Sequence, residues 1–194
     1  MTERAFAFDA ANTEKARRAM AKYPAGRQKS AVLALLDLAQ RQDGGWLSRA
    51  AMDYVAELLA MPPIRVYEVA TFYSMFNLKP VGRHLVQVCT TTPCWLRGSD
   101  GVLEACRAKL GVDVGGTTQD GAFTLVEVEC LGACVNAPVI QVGDDFYEDL
   151  DRASTERLLD ALARGETPKP GPRIARQTSA PITGPTTLKD GKGS

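Results

Sequence analysis

Apolar residues recur at two different periods, and the change between them divides the chain into a helical half and an α/β half. Residues 1–28 are polar and Ala-rich, with a helix expected from Thr13 to Ala21 ahead of Tyr23-Pro24. In KSAVLALLDLAQRQ, residues Val32, Leu35, Leu36 and Ala39 fall on one helical face, and Asp43-Gly44-Gly45 ends the run. Ser48 suits the N-cap of a next helix with Met52, Val55, Ala56 and Leu59 as its stripe. Pro62-Pro63 stops that helix, and Pro63 can open a third. There the three-and-four spacing predicts burial of Val69, Phe72, Tyr73 and Phe76. A small helical bundle over residues 29–80 is the expectation.

The period shortens after Lys79-Pro80-Val81-Gly82. HLVQVC (84–89) alternates and is rich in β-branched residues, so a strand is expected. Ser99 to Leu110 is expected as a helix capped by Ser99 and closed by Gly111. TLVEVEC (124–130) reads as a strand, and VIQVG (139–143), Asp144-Asp145 and FYEDL read as a hairpin. A last helix runs from Ser154 to Ala163, capped by Ser154 or Thr155 and ended by Gly165. The order β-α-β-β-β-α makes residues 81–165 an α/β domain, a sheet covered by helices. From Gly165 onward there are five prolines and five glycines in thirty residues, with Ile174, Ile182 and Leu188 almost the only large apolar side chains. Such a tail (166–194) is expected to be extended or disordered, either free or draped over a partner, because it has little to bury.

Composition narrows the function classes. Hydrophobic residues are 45% and charged residues 24% of the 194, ordinary for a globular protein with a core. Lys plus Arg and Asp plus Glu are 23 each, which points to neither nucleic acid nor an anionic membrane. No apolar run approaches the ~18 residues of a membrane span. MTERAFAFDA lacks a signal-peptide core, and its Glu3 and Asp9 argue against a transit peptide. In the soluble protein of a reducing compartment that this implies, clustered cysteines read as metal ligands or redox thiols rather than disulfides.

All five cysteines lie between positions 89 and 134. Cys89 and Cys94 have four residues between them, Cys130 and Cys134 have three, and Cys106 stands alone. Each pair follows a strand-like run, so four thiolates are expected to converge on one centre. Each iron of a [2Fe–2S] cluster takes two protein thiolates, and one short loop can supply both. The cluster is an anion, so Thr90, Thr91 and Thr92 are expected to offer hydroxyls, and Gly132 and Ala133 to let the backbone approach.

Other centres fit less well. Structural zinc usually takes tighter Cys-x2-Cys pairs, a thioredoxin-type dithiol needs Cys-x2-Cys, absent here, and a Rieske centre needs two histidines where only His84 exists. The plant-type ferredoxin spacing is also missing. Cys106 falls mid-helix and reads as a buried structural thiol. AMDYVAELLAMPPIRVYEVATFY has a helix-turn-helix look, but four Lys/Arg against three Asp/Glu between Trp46 and Arg83 make no basic recognition face. It reads as a packing or docking module.

PPIRVYEVATFYSMFNLKPVG, VCTTTPCWLRGSDGVLEA and TLVEVECLGACVNAPVIQV together closely resemble the family of E subunits of NADH–quinone oxidoreductase (respiratory complex I), from about Lys29 to about Pro172. The resemblance implies a thioredoxin-like [2Fe–2S] ferredoxin domain preceded by a helical bundle. It also implies that Cys89, Cys94, Cys130 and Cys134 are the ligands and Cys106 is not. As implied partners it brings an NADH- and FMN-binding flavoprotein and the larger respiratory complex. FMN and NADH would be bound by that partner, and this chain would exchange single electrons with the flavin. A peripheral location on the cytoplasmic side of the bacterial inner membrane follows in the same way. The small subunit of a soluble NAD-linked formate dehydrogenase or NAD-reducing hydrogenase, and a zinc-stapled docking protein, are the alternatives. No dinucleotide fingerprint or P-loop occurs, and Gly115-Gly116 reads as a turn.

Overall fold

The computed structural model describes residues 5–184 and Thr187; Leu188 and the rest of the expected tail beyond it lie outside the described residues. The fold divides into two units, residues 1–81 and 82–194.

The first unit is helical: α1 (Ala10–Ala21), α2 (Val32–Gln42), α3 (Arg49–Leu58) and α4 (Pro63–Phe72), with a 3₁₀ turn at Gln28–Ala31. α1 starts three residues before the expected Thr13, because the Asp9 carboxylate accepts the Asn12 N–H and caps it there. Ser48 caps α3 through the Ala51 N–H, and Pro63 is the first residue of α4, as the sequence predicts. Leu35, Leu36, Ala39, Leu47, Val55 and Val66 form the centre of the core.

One expectation for this unit fails. α4 buries Val66 and Ala70, with Val69 partly covered, while Phe72 is 79% exposed and Tyr73 is exposed too. The helix stops at Phe72, and Tyr73 turns extended at φ −90°, ψ 114°. Phe76 is buried, but from beyond the helix end, so a spacing argument continued past Phe72 describes no helical face.

The second unit is α/β. Its strands are β1 (His84–Cys89), β2 (Phe123–Val128), β3 (Ile140–Val142), β4 (Asp145–Glu148) and β5 (Gly171–Pro172), and its helices α5 (Thr92–Leu96), α6 (Ser99–Leu110) and α7 (Arg152–Ala163). Among the described residues they form one mixed sheet in the order β2-β1-β3-β4-β5. β1 pairs parallel with β2, β3 antiparallel with β1 and β4, and β4 parallel with β5. Parallel neighbours need a crossover, which α5 and α6 supply. Val86, Val88, Leu125 and Ile140 of the sheet pack with Val102 and Cys106 of α6 and Leu158, Leu159 and Leu162 of α7. Gly82 sits so close to β2 that a Cβ there would lie 2.7 Å from the Phe123 carbonyl carbon, and its N–H donates to Thr124 Oγ1 at 2.6 Å.

Two expected helix caps are also corrected. α7 begins at Arg152 rather than Ser154, because Asp151 is the cap: its carboxylate accepts the Ser154 N–H while Ser154 Oγ accepts the Asp151 N–H. Ser99 does not cap α6; Gly98, left-handed at φ 94°, occupies that position, and Ser99 Oγ is buried without a partner. The tail differs as well. Residues 171–178 lie along this unit, with β5 beside β4 and Arg176 in a buried ion pair with Asp149.

Candidate metal centre

The parallel pairing of β1 and β2 brings the two cysteine loops together. In their register Cys89 stands opposite Val128, so both strands finish at the same end of the sheet. The Cys94 loop leaves that end from β1 and the Cys130 loop from β2. Thirty-five intervening residues of sequence are absorbed by the crossover. Thr90 N–H, 3.4 Å from Val128 O, and Thr90 Oγ1, 2.5 Å from a Glu127 carboxylate oxygen, continue the pairing past the strand ends.

Each loop is a tight turn. Thr92–Leu96 forms α5 with Pro93 in its first turn, which carries Cys94 inward, buried. In the second loop Gly132 takes φ +82° and Cys134 opens a 3₁₀ turn, Cys134–Asn136. Cys130 Sγ and Cys134 Sγ are 3.3 Å apart. Cys89, Cys94, Ala137 and Val139 form a small apolar cluster with Leu131, Ala133 and Phe146 against it, separate from the main core.

Donors are directed at the sulfurs. Thr91 Oγ1 lies 3.3 Å from Cys89 Sγ, and the Gly132 N–H points to Cys130 Sγ at 3.4 Å. Burial pushes the Cys89 thiol up, but the Thr91 hydroxyl and the Leu131 and Thr91 amides outweigh it and hold the thiol below its ordinary value. Cys130 is lowered by the Gly132 amide first and then by Cys134. Burial and the neighbouring Cys89 push Cys94 up to about 12, against the Val139 amide, and Cys134 is raised first by the Cys130–Cys134 hydrogen bond. One hydroxyl and one amide thus lie within hydrogen-bond distance of a sulfur, Thr91 at Cys89 in the first loop and Gly132 at Cys130 in the second.

A donor set of thiols in two pairs, with the Gly132 amide and the Thr91 hydroxyl directed at sulfur, fits an anionic binuclear centre with two thiolates to each iron. Among the described residues, no group of three or more His, Cys, Asp or Glu surrounds a single ion position. The expected hydroxyls divide: Thr91 faces the sulfurs, whereas Thr90 turns to Glu127. The amides of Leu131 and Val139 carry no signal in a one-letter sequence. Cys106 is fully buried in α6, its thiol pushed up to about 12 by burial, and it belongs to the main core. His84 of β1 lies against Phe123 of β2 with the rings tilted, burial lowers its imidazole below the ordinary value, and it sits at the opposite end of β1 from Cys89.

Residues 16–163 match the family of thioredoxin-like [2Fe–2S] ferredoxins. The chain is 59% identical over 155 residues to the NADH-quinone oxidoreductase E subunit of Rickettsia typhi, covering 80% of this chain and 91% of that one. It is 52% identical over 183 residues to mitochondrial NADH dehydrogenase [ubiquinone] flavoprotein 2 of Dictyostelium discoideum, covering 94% and 74%. Among solved structures, an NAD⁺-reducing [NiFe]-hydrogenase in the air-oxidised state shares the fold at a TM-score of 0.59 and 20% identity, over 67% of this chain and 23% of that one. The chain therefore belongs to the thioredoxin-like [2Fe–2S] ferredoxins and, within them, to the E subunits of NADH–quinone oxidoreductases.

Proposed function

We propose that Cys89, Cys94, Cys130 and Cys134 hold one [2Fe–2S] cluster, and that the chain is the electron-transfer subunit of the NADH-oxidising module of NADH:quinone oxidoreductase. FMN and NADH are bound by a partner flavoprotein. The observation that carries this reading is the meeting of two cysteine pairs at one end of parallel strands, with amide and hydroxyl donors aimed at their sulfurs. When bound, the cluster supplies one-electron chemistry, accepting and returning single electrons.

This chain's residues would then hold, tune and expose the centre. Thr91 and the Gly132 amide would favour the more negative, reduced state by donating to sulfur. Burial of Cys89 and Cys94 keeps water from one side, while Cys130 is exposed on the other. Trp95, Leu96 and Val135 are exposed apolar residues next to cysteines in sequence, a rim suited to close approach of a redox partner. Hydride chemistry falls to the partner. Among the described residues no helix is long and apolar enough to cross a membrane, in keeping with a peripheral subunit.

The test is NADH-dependent reduction of the chain, co-purified with its flavoprotein partner and followed by EPR. Wild type should develop a signal on NADH addition, and Cys94→Ala or Cys130→Ala should not. A normal reduced-state signal in Cys130→Ala would sink the ligand assignment. Reduction that requires a formate dehydrogenase or hydrogenase partner instead would transfer the chain to those soluble enzymes.

A further inference from the structure

The tail after α7 returns to the second cysteine loop. β5 runs parallel to β4, the Arg173 N–H donates to Glu148 O at 2.9 Å, and the Arg173 guanidinium lies over the Tyr147 ring. Arg176 then enters the domain with its side chain only 6% exposed. Its Nη2 donates to Asp149 Oδ1 at 2.9 Å, and Asp149 is 3% exposed in its side chain. Its Nη1 donates to Asn136 Oδ1 at 2.9 Å and reaches Val135 O at 3.5 Å. Asn136 is buried; its Nδ2 donates to Thr178 O at 3.1 Å and to the Glu148 carboxylate. The Asp149 N–H closes the ring on Asn136 O at 2.7 Å.

Val135 and Asn136 are the two residues after Cys134 and share its 3₁₀ turn. One guanidinium therefore spans that turn and a buried carboxylate, with two of its nitrogens engaged on separate elements. We propose that residues 171–178 are a strap and that Arg176 is the positioning residue for the second cysteine loop, fixing the turn that carries Cys134. The inference rests on the reading of Cys130 and Cys134 as cluster ligands. Removing the guanidinium leaves the Asp149 carboxylate buried without its cation and frees the Asn136 side-chain carbonyl, so the turn loses its fixed geometry. Arg is suited to the position because its planar fork addresses two acceptors at once, which an ammonium cannot do with the same geometry.

The full chain, purified anaerobically with its cluster, provides the test. Variants Arg176→Leu and Arg176→Lys are compared with Leu162→Ala, a truncation in the main core of the same unit. Release of iron to a chelator, the linewidth of the reduced EPR signal, and amide exchange across residues 131–137 are measured. Arg176→Leu should lose iron about ten- to a hundredfold faster than wild type, the range for partners that orient metal ligands. It should also broaden the signal and raise exchange in that segment, with Arg176→Lys recovering part of each effect. Leu162→Ala should lower Tm yet keep wild-type iron release. Unchanged release in Arg176→Leu, or equal acceleration in Leu162→Ala, overturns the proposal. Should Arg176→Leu fail to fold, Arg176→Lys decides: wild-type release, linewidth and exchange in that variant overturn it. A wild-type chain without a [2Fe–2S] cluster refutes the ligand reading, and the strap falls with it.

Discussion

Gly132 sits at φ +82° between two cysteines and donates its N–H to one of them. A Cβ there would meet nothing within 4 Å, so the requirement for glycine is one of backbone conformation and not of space. Gly132→Ala should therefore lower the stability of the chain by about 1–2 kcal/mol, the cost of a left-handed L-residue, as measured by urea unfolding. Gly82 presents the opposite case. Its φ is ordinary, but a Cβ would strike the Phe123 backbone, so Gly82→Ala should cost about 1–3 kcal/mol by overpacking and show the larger Tm loss. Cys106 is as buried as the cysteines of the first pair but lies in the main core. Cys106→Ala should keep full iron content and lose at most about 1–2 kcal/mol, the cost of a small side-chain truncation; loss of iron in that variant would mean the wrong four cysteines have been chosen. At this scale the sequence carries the cysteines, Gly132 and Thr91 in plain view. It does not carry the amide donors, because every residue but proline has an N–H and only the fold decides where it points.

Among the elements, β1 forms where alternation places it, while the β3–β4 hairpin turns at Gly143-Asp144, one residue ahead of the expected Asp144-Asp145, with Asp145 already paired to Val142. The parallel partnership of β1 with β2 is a property of the crossover and appears in neither strand's own pattern. Helix starts are harder to place from residue type. A serine near the start of a run reads as a cap, yet at α7 the aspartate three residues earlier binds the Ser154 amide and demotes Ser154 to the third helical position. Asp151→Ala should destabilise the chain by about 1 kcal/mol. Hydrogen bonds from Ser154 hold the Asp151 carboxyl below its ordinary value of 3.8, so the contribution is present above that value and fades as pH falls through the lower, folded one. The difference between wild type and variant should thus be full at neutral pH and shrink in acid. At α4 periodicity overstates the helix instead. The apolar repeat continues through Phe72 and Tyr73, but these side chains face outward and add nothing to the helical core.

For the molecule as a whole, composition and periodicity separate a helical part from an α/β part, and the chain divides between Val81 and Gly82. Composition is a poorer guide to the tail. Its prolines and glycines announce a segment with little to bury, yet residues 171–178 are tied down by strand pairing and by charge, through Arg173 and Arg176. A single arginine that finds a buried acid can order a stretch that hydrophobicity would leave free, and no local pattern marks which arginine will do so. The role of the whole chain turns on what the converging loops hold. Iron, acid-labile sulfide and zinc assayed on the anaerobically purified chain, with EPR after dithionite reduction, test it most directly. Two irons and two sulfides per chain with an S = ½ signal are the predicted result; a colourless, zinc-bearing chain that reconstitution cannot darken would contradict it.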